Sequence, residues 1–245
     1  MASNPSDLGF NGGEPSHPEL LDWLAAEFAR EGWSLKQLHK RILMSRAYRQ
    51  SSRWNAEAAS ADADNRLVWR FTPRRLTGED VRDSMLAVSG DLNPSVHGPS
   101  YRPFDIGAGP GSLRRYELTT RDSPDLRRRT VYRMNTITGG DPMLEALDCP
   151  LPAVKAPKRP STTTAIQALS LMNNAFVQHR AKGFATRMQQ EAPTLDSQIK
   201  RAFSLAYGRL PDADELASSR AVVDEHGWTS LSWGILNTSE FLYVR

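Results

Sequence analysis

The sequence predicts a mainly α protein, with an N-terminal helical hairpin and a C-terminal helical bundle around an irregular central region that carries a short β-ribbon. Three observations predict it. Apolar residues recur at helical spacing in residues 17–47, 77–90 and 161–245. Ser, Thr or Asp precedes most of these runs, and Gly follows several of them. Between residues 90 and 160 the period disappears and Gly and Pro crowd together. The 245 residues then read as one domain in three parts, 1–90, 91–160 and 161–245, with helix well above one third.

The first helix begins near His17. Ser16 to Glu19 read as a capping box, the Ser16 hydroxyl accepting from the Glu19 amide and the Glu19 carboxylate from the Ser16 amide. Pro18 suits the first turn, where a missing amide costs no intrahelical bond. Leu20, Leu21, Trp23, Leu24 and Phe28 form the stripe and Gly32 the stop. His17 has no neighbour in sequence for metal binding or base catalysis and lies where the helix dipole disfavours a positive charge, so its reading is structural. Ser34 and Gln37 open a second helix, with Trp33 placed to staple onto Leu38 and with Leu35, Leu38, Ile42 and Leu43 as the inner stripe. Residues 17–47 therefore form an αα-hairpin whose outer face carries Lys36, Lys40, Arg41 and Arg46. A polar, alanine-rich link follows. Its Asp62, Asp64 and Asn65 lack the glycine and distal glutamate of a calcium loop and read as a turn and N-cap. Thr77 and Asp80 start the next helix, Val81, Met85 and Val88 line it, and Gly90 ends it.

The central region holds two extended segments, "RRYEL" at 114–118 and "RRTVYRM" at 128–134, and pairing them with each other gives the ribbon. Irregular backbone on a rigid helical frame is where function concentrates. The nearby "GAGPGS" lacks the lysine of a phosphate-binding loop, and Pro110 removes an amide that would cradle phosphate, so it reads as a turn. Arg114, Arg115, Arg128 and Arg133 are the candidate anion-binding residues, because guanidinium forks match carboxylate, sulfate and phosphate. Pairing of this arginine group with Glu117, Asp122 and Asp125 is its commoner use. Asp141, Glu145 and Asp148 with Cys149 supply acids and a thiol but no histidine nearby in sequence. Glu145 fits a short helical turn after Pro142, Cys149 fits a small buried residue beside Pro150, and no catalytic residue is assigned.

The last part is helical again. A Thr-rich cap leads into a stripe of Ile166, Leu169, Met172, Phe176, Val177, Phe184 and Met188, with a break expected at Asn173 and Asn174. Leu195, Ile199, Phe203 and Ala206 make another helix stopped by Gly208, Asp212 and Glu215 box the next, and a segment from Trp228 closes the chain.

Composition narrows the function classes. The formal charge is +3, and all of the surplus lies in residues 91–160, where 11 basic side chains face 8 acidic ones. That is too small for a nucleic-acid field. One cysteine, Cys149, permits no internal disulfide, no thiolate metal cage and no haem-attachment motif, so no cofactor or metal is assigned to this chain. No apolar run approaches the ~20 residues of a membrane span, and residues near Met1 lack the design of a signal peptide.

Seven blocks carry a family resemblance: "PSHPELLDWLAAEF", "RILMSRAYRQSS", "DADNRLVWR", "RRLTGEDVRDSMLAVSGDLNP", "TTTAIQALSLMNNAFV", "AYGRLPDADEL" and "ILNTSEFLYV". In that order they resemble the planctomycete-associated domain of unknown function family 1553. The resemblance implies a domain near the C-terminus of large exported proteins that often carry a cytochrome c-like domain, so haem belongs to a full-length relative and the setting is extracytoplasmic. It supplies no activity and no catalytic residues. Met1 falls at a point that resembles the middle of the family domain, so the chain is expected to be a partial one; "PLPAVKAPKRPSTTTAIQAL" also lacks a cysteine and arginine pair common in relatives. Three function classes stand: a non-catalytic interaction or scaffold module whose partners are other domains of a longer parent; part of an enzyme or binding protein acting on extracellular anionic polysaccharide; and a nucleic-acid-binding protein, against which the near-neutral outer segments count.

Overall fold

Side-chain caps and left-handed glycines set most helix boundaries. A computed structural model describes residues 7, 10–109, 114–119, 121–137, 139–153, 156 and 159–244, and the second half of "GAGPGS" lies outside them. Ten α-helices and two small two-stranded sheets are present among the described residues, so the mainly α reading holds. Contacts divide the chain into two units, one ending at Arg74 and one spanning residues 75–244.

In the first unit, α1 (Pro18–Arg30) and α2 (Leu35–Met44) form the expected hairpin. Gly32 turns the chain at φ +69°, a conformation glycine adopts freely. Ser34 accepts from the Gln37 amide as the sequence suggests. The Ser16 box does not form: the N-cap is His17, without a side-chain cap bond, and the Ser16 hydroxyl lies 2.9 Å from His17 Nδ1 instead. Trp33, expected against Leu38, is 70% exposed and meets Phe28 edge-on at 5.2 Å. Glu27 bonds to Arg30 and Arg41, and these guanidinium groups draw its carboxyl down to about 2. The alanine-rich link contains a short helix, α3 (Ala56–Ala61), capped by Asn55. Asp62 follows that helix rather than starting one, and its carboxylate accepts from the Arg66 and Leu67 amides. Arg70 stacks on both Trp54 and Trp69. Among the described residues of this unit only Gly12 is fully buried, and Leu20, Trp23, Ile42, Tyr48, Val68 and Phe71 line an open apolar groove of about 550 Å³.

The second unit holds the core. Just past the two-residue strand β1 (Arg74–Arg75), Leu76 donates its amide to the Leu242 carbonyl at 2.8 Å. In α4 (Gly78–Ser89), Thr77 accepts from the Asp80 amide and Gly90 closes the C-terminus at φ +80°, both as expected. Arg187 then donates to the Ala87 and Val88 carbonyls of the last turn, adding to the bond that Ala87 accepts from the Gly90 amide. After the short α5 (Pro142–Ala146) come α6 (Ala165–Asn173), α7 (Ala175–Glu191), α8 (Leu195–Tyr207), α9 (Ala213–Leu236) and α10 (Ser239–Leu242). Asn174 caps α7, which is the break expected at the asparagine pair. Helix α7 packs on α4, α6, α8 and α9, and Val177, Ala181, Phe184 and Met188 are buried there with Met85, Ile199, Leu231 and Leu236. Gly227, at φ +80° and ψ 167°, bends α9 where the sequence separates the last two segments.

The ribbon exists, but with a different partner. β2 (Phe104–Ala108) pairs antiparallel with β3 (Arg114–Leu118), from Phe104 opposite Leu118 to Ala108 opposite Arg114. Residues 128–134 do not join it, because Asp83 takes the Thr130 amide and hydroxyl and holds residues 130–132 in a 3-10 turn. Only single bridges flank that turn, Asn93 with Arg128 and Tyr101 with Arg133. Strand β4 (Tyr243–Val244) ends the unit.

Candidate functional site

The cleft of interest forms where α4 and α7 meet the central region. Helix α4 presents Arg82 beside Val81, and α7 presents Arg180 between Val177 and Phe184, so two guanidinium groups enter positions that helical spacing reserves for the core. Arg82 donates to the Leu126 and Arg128 carbonyls and to the Thr130 hydroxyl, tying the central loop to α4. Arg180, 1% exposed, bonds to Asp91 and Asp122, which Arg127 also pairs at 2.7 and 3.0 Å. Burial alone would raise the Asp122 carboxyl, but Arg127 and Arg180 hold it below the ordinary range, and burial pulls the Arg180 cation down. The Phe176 ring takes a guanidinium from each helix, Arg82 at 5.2 Å and Arg180 at 5.4 Å.

Arg133 is held differently. Its backbone is fixed by Tyr101, whose amide donates to Tyr132 and whose carbonyl accepts from Met134. The residue is 9% exposed, its guanidinium lies 5.0 Å over the Phe104 ring, and Nη1 donates to Asn135 at 2.9 Å. Nε and Nη2 are buried without a hydrogen-bond partner among the described residues. Asp141 Oδ2 is 3.8 Å from Nε, close enough for charge attraction and too far for a hydrogen bond. The Tyr101 hydroxyl is likewise buried and unpartnered, and burial raises its pKa. Arg82, Tyr101, Arg133, Asp141, Phe176 and His179 are among the residues that line a cleft of about 210 Å³. A buried donor left unbonded costs about 1–3 kcal/mol, and more when charged, so an unused pair on one guanidinium edge marks a place for an acceptor.

Of the four arginines read from the sequence, Arg133 lines this cleft. Arg114 and Arg115 are exposed on β3, and Arg115 pairs with Glu117 at 2.7 Å. Arg128 donates to the carbonyls of Ser95, His97 and Pro99 and lies 4.1 Å over Tyr132, so it holds a loop. Nothing local in the sequence marks Tyr101, Phe176 or His179 as site residues, and for Arg82 the available signal is a positive charge on an apolar stripe.

Asp141, Asp148 and the thiol are engaged. Asp141 Oδ1 accepts from the Met143 and Leu144 amides. Asp148 bonds to Arg75, Thr162 and Gln167; burial opposes its charge, but the Thr162 and Arg75 bonds keep the carboxyl low. Cys149 is half-buried, 3.5 Å from Glu79, and burial with that carboxylate pushes its thiol up to about 11. No group of three His, Cys, Asp or Glu side chains among the described residues is placed to hold a metal, and no helix there is long and apolar enough to cross a membrane.

No curated protein and no solved structure matched the chain. One family model did, that of PSD1, described as a protein of unknown function (DUF1553), over residues 1–223. The block "ILNTSEFLYV" lies beyond the match, and the other six fall within it. With nine-tenths of its length matched, the chain belongs to the DUF1553 family.

Proposed function

We propose that this chain is a non-catalytic interaction module of a larger multidomain protein, and that its second unit binds an anionic group in the Arg133 cleft. One observation carries this reading: Nε and Nη2, the two nitrogens of one guanidinium edge, are buried and unbonded among the described residues, on an arginine that lines a cleft. That edge presents two parallel N–H groups, which suit the paired oxygens of an anion. Binding rather than catalysis suits the neighbouring groups, since Asp122 is ion-paired, Asp141 caps α5, and the Cys149 thiol is protonated at neutral pH. An anionic polysaccharide is the second reading, favoured by the exposed Arg114 and Arg115, which would extend contact along a polymer.

The test is a thermal-shift and calorimetric titration of the whole chain with acetate, sulfate and glucuronate at constant ionic strength, repeated on Arg133→Met. Saturable stabilisation that disappears in the variant is the expected result. Equal stabilisation of both proteins removes the cleft from consideration.

A further inference from the structure

We infer that the group taken by Arg133 is a carboxylate with a hydroxyl on the adjacent carbon, an α-hydroxycarboxylate, and not a sulfate or a phosphate. This rests on the reading of the cleft as an anion site and adds to it the role of Asp141. The unused edge of Arg133 does not face a purely positive surface: Asp141 Oδ2 lies 3.8 Å from Nε and takes no hydrogen bond among the described residues, while Oδ1 serves the α5 amides. A multiply charged oxyanion seated on Nε and Nη2 would bring acceptor oxygens against that carboxylate, with repulsion heightened by burial.

A hydroxyl resolves the conflict because it both accepts and donates. An oxygen at ordinary hydrogen-bond distance from Nε and from Asp141 Oδ2 spans their 3.8 Å separation, accepting from the first and donating to the second. The neighbouring carboxylate oxygen then accepts from Nη2, which is also without a partner. In this arrangement the ligand carboxylate meets Arg133 while Asp141 meets a neutral donor, so a monoanion brings less negative charge beside Asp141 than a sulfate or phosphate would. Tyr101 also lines the cleft, and its buried hydroxyl, unpartnered among the described residues, is a further donor beside it. The cleft, about 210 Å³, equals the liquid volume of roughly seven waters at ~30 Å³ each, which accommodates a small hydroxy acid.

The experiment follows the Arg133 Nε–Hε signal by heteronuclear NMR on the whole chain. Glycolate, acetate, which lacks the hydroxyl, and sulfate are titrated at equal ionic strength. The parent protein is expected to bind glycolate about tenfold more tightly than acetate, the worth of one charge-assisted hydrogen bond, with saturable movement of that signal. Asp141→Asn keeps an oxygen for the α5 amides and replaces the acceptor with an amide donor. It is expected to bind acetate at least as well as the parent and to lose the preference for glycolate. Equal affinity for glycolate and acetate in the parent, a preference that survives in Asp141→Asn, or tighter binding of sulfate than of glycolate each overturns the hydroxycarboxylate inference while leaving an anion site. Failure of all three anions to move the Arg133 signal overturns the anion site itself. Thermal melts of parent and variant check that both are folded.

Discussion

Arg180 and Arg133 are both buried arginines with opposite expected responses to the same substitution. Arg180→Met leaves Asp91 and Asp122 without their buried partner and is expected to cost about 3 kcal/mol, read from the denaturant midpoint. Arg133→Met removes a buried cation with one hydrogen bond and two idle nitrogens, and it is expected to leave stability unchanged or raise it by up to about 2 kcal/mol. A loss as large as that of Arg180 would make Arg133 a structural residue. Cys149 offers a pH test at the same scale. Its raised pKa keeps the thiol neutral, so alkylation at pH 8 is expected to run roughly 10- to 100-fold below that of an ordinary thiol and to climb toward pH 11; Glu79→Gln, by removing a neighbouring negative charge, shifts that rise to lower pH. Arg133 was legible in the sequence because it lies in an arginine-rich irregular stretch. Arg82 was hidden, because a charged residue on an apolar stripe looks like an interruption until its ring and carbonyl partners are known.

At the scale of elements, local chemistry predicted best where a single side chain satisfies a single amide. Thr77 and Asp212 cap as expected, Glu215 completes the box at Asp212, and the break expected at the asparagine pair is made by Asn174 capping α7. Ser16 failed because the helix starts one residue later, with His17 as N-cap, and the Ser16 hydroxyl lies beside the His17 ring instead. The partner of β3 failed for a long-range reason: Thr130 is claimed by Asp83, 47 residues earlier, and no local pattern reports that bond. Gly227 gives the sharpest prediction here. Its φ of +80° and ψ of 167° lie in a region open essentially to glycine alone, so Gly227→Ala is expected to destabilise the protein by about 1–3 kcal/mol, seen as a lower thermal midpoint. Open space for the new methyl group means that backbone strain, not a clash, is responsible.

For the molecule as a whole, burial is distributed very unequally. Among the described residues the buried apolar side chains all lie in residues 81–241, and none of the large apolar residues of α1 and α2 is fully buried. Hydrogen exchange should therefore separate the units, with amides of α4, α7 and α9 protected close to the global limit and those of α1 and α2 exchanging much faster. Equal protection in both would contradict it. Helical periodicity announced a stripe on α1 and α2 but carries no measure of how deeply a stripe is covered, which is why the hairpin was legible and its exposure was not. The shallow packing of that hairpin has a consequence for how the chain tolerates change. A random library of single substitutions should divide at the same place, with replacements at residues 17–47 mostly silent in an abundance screen and replacements on the inner face of α7 mostly lost. Any position on the hairpin that selection nonetheless holds fixed would then be marked by what it touches rather than by what it supports.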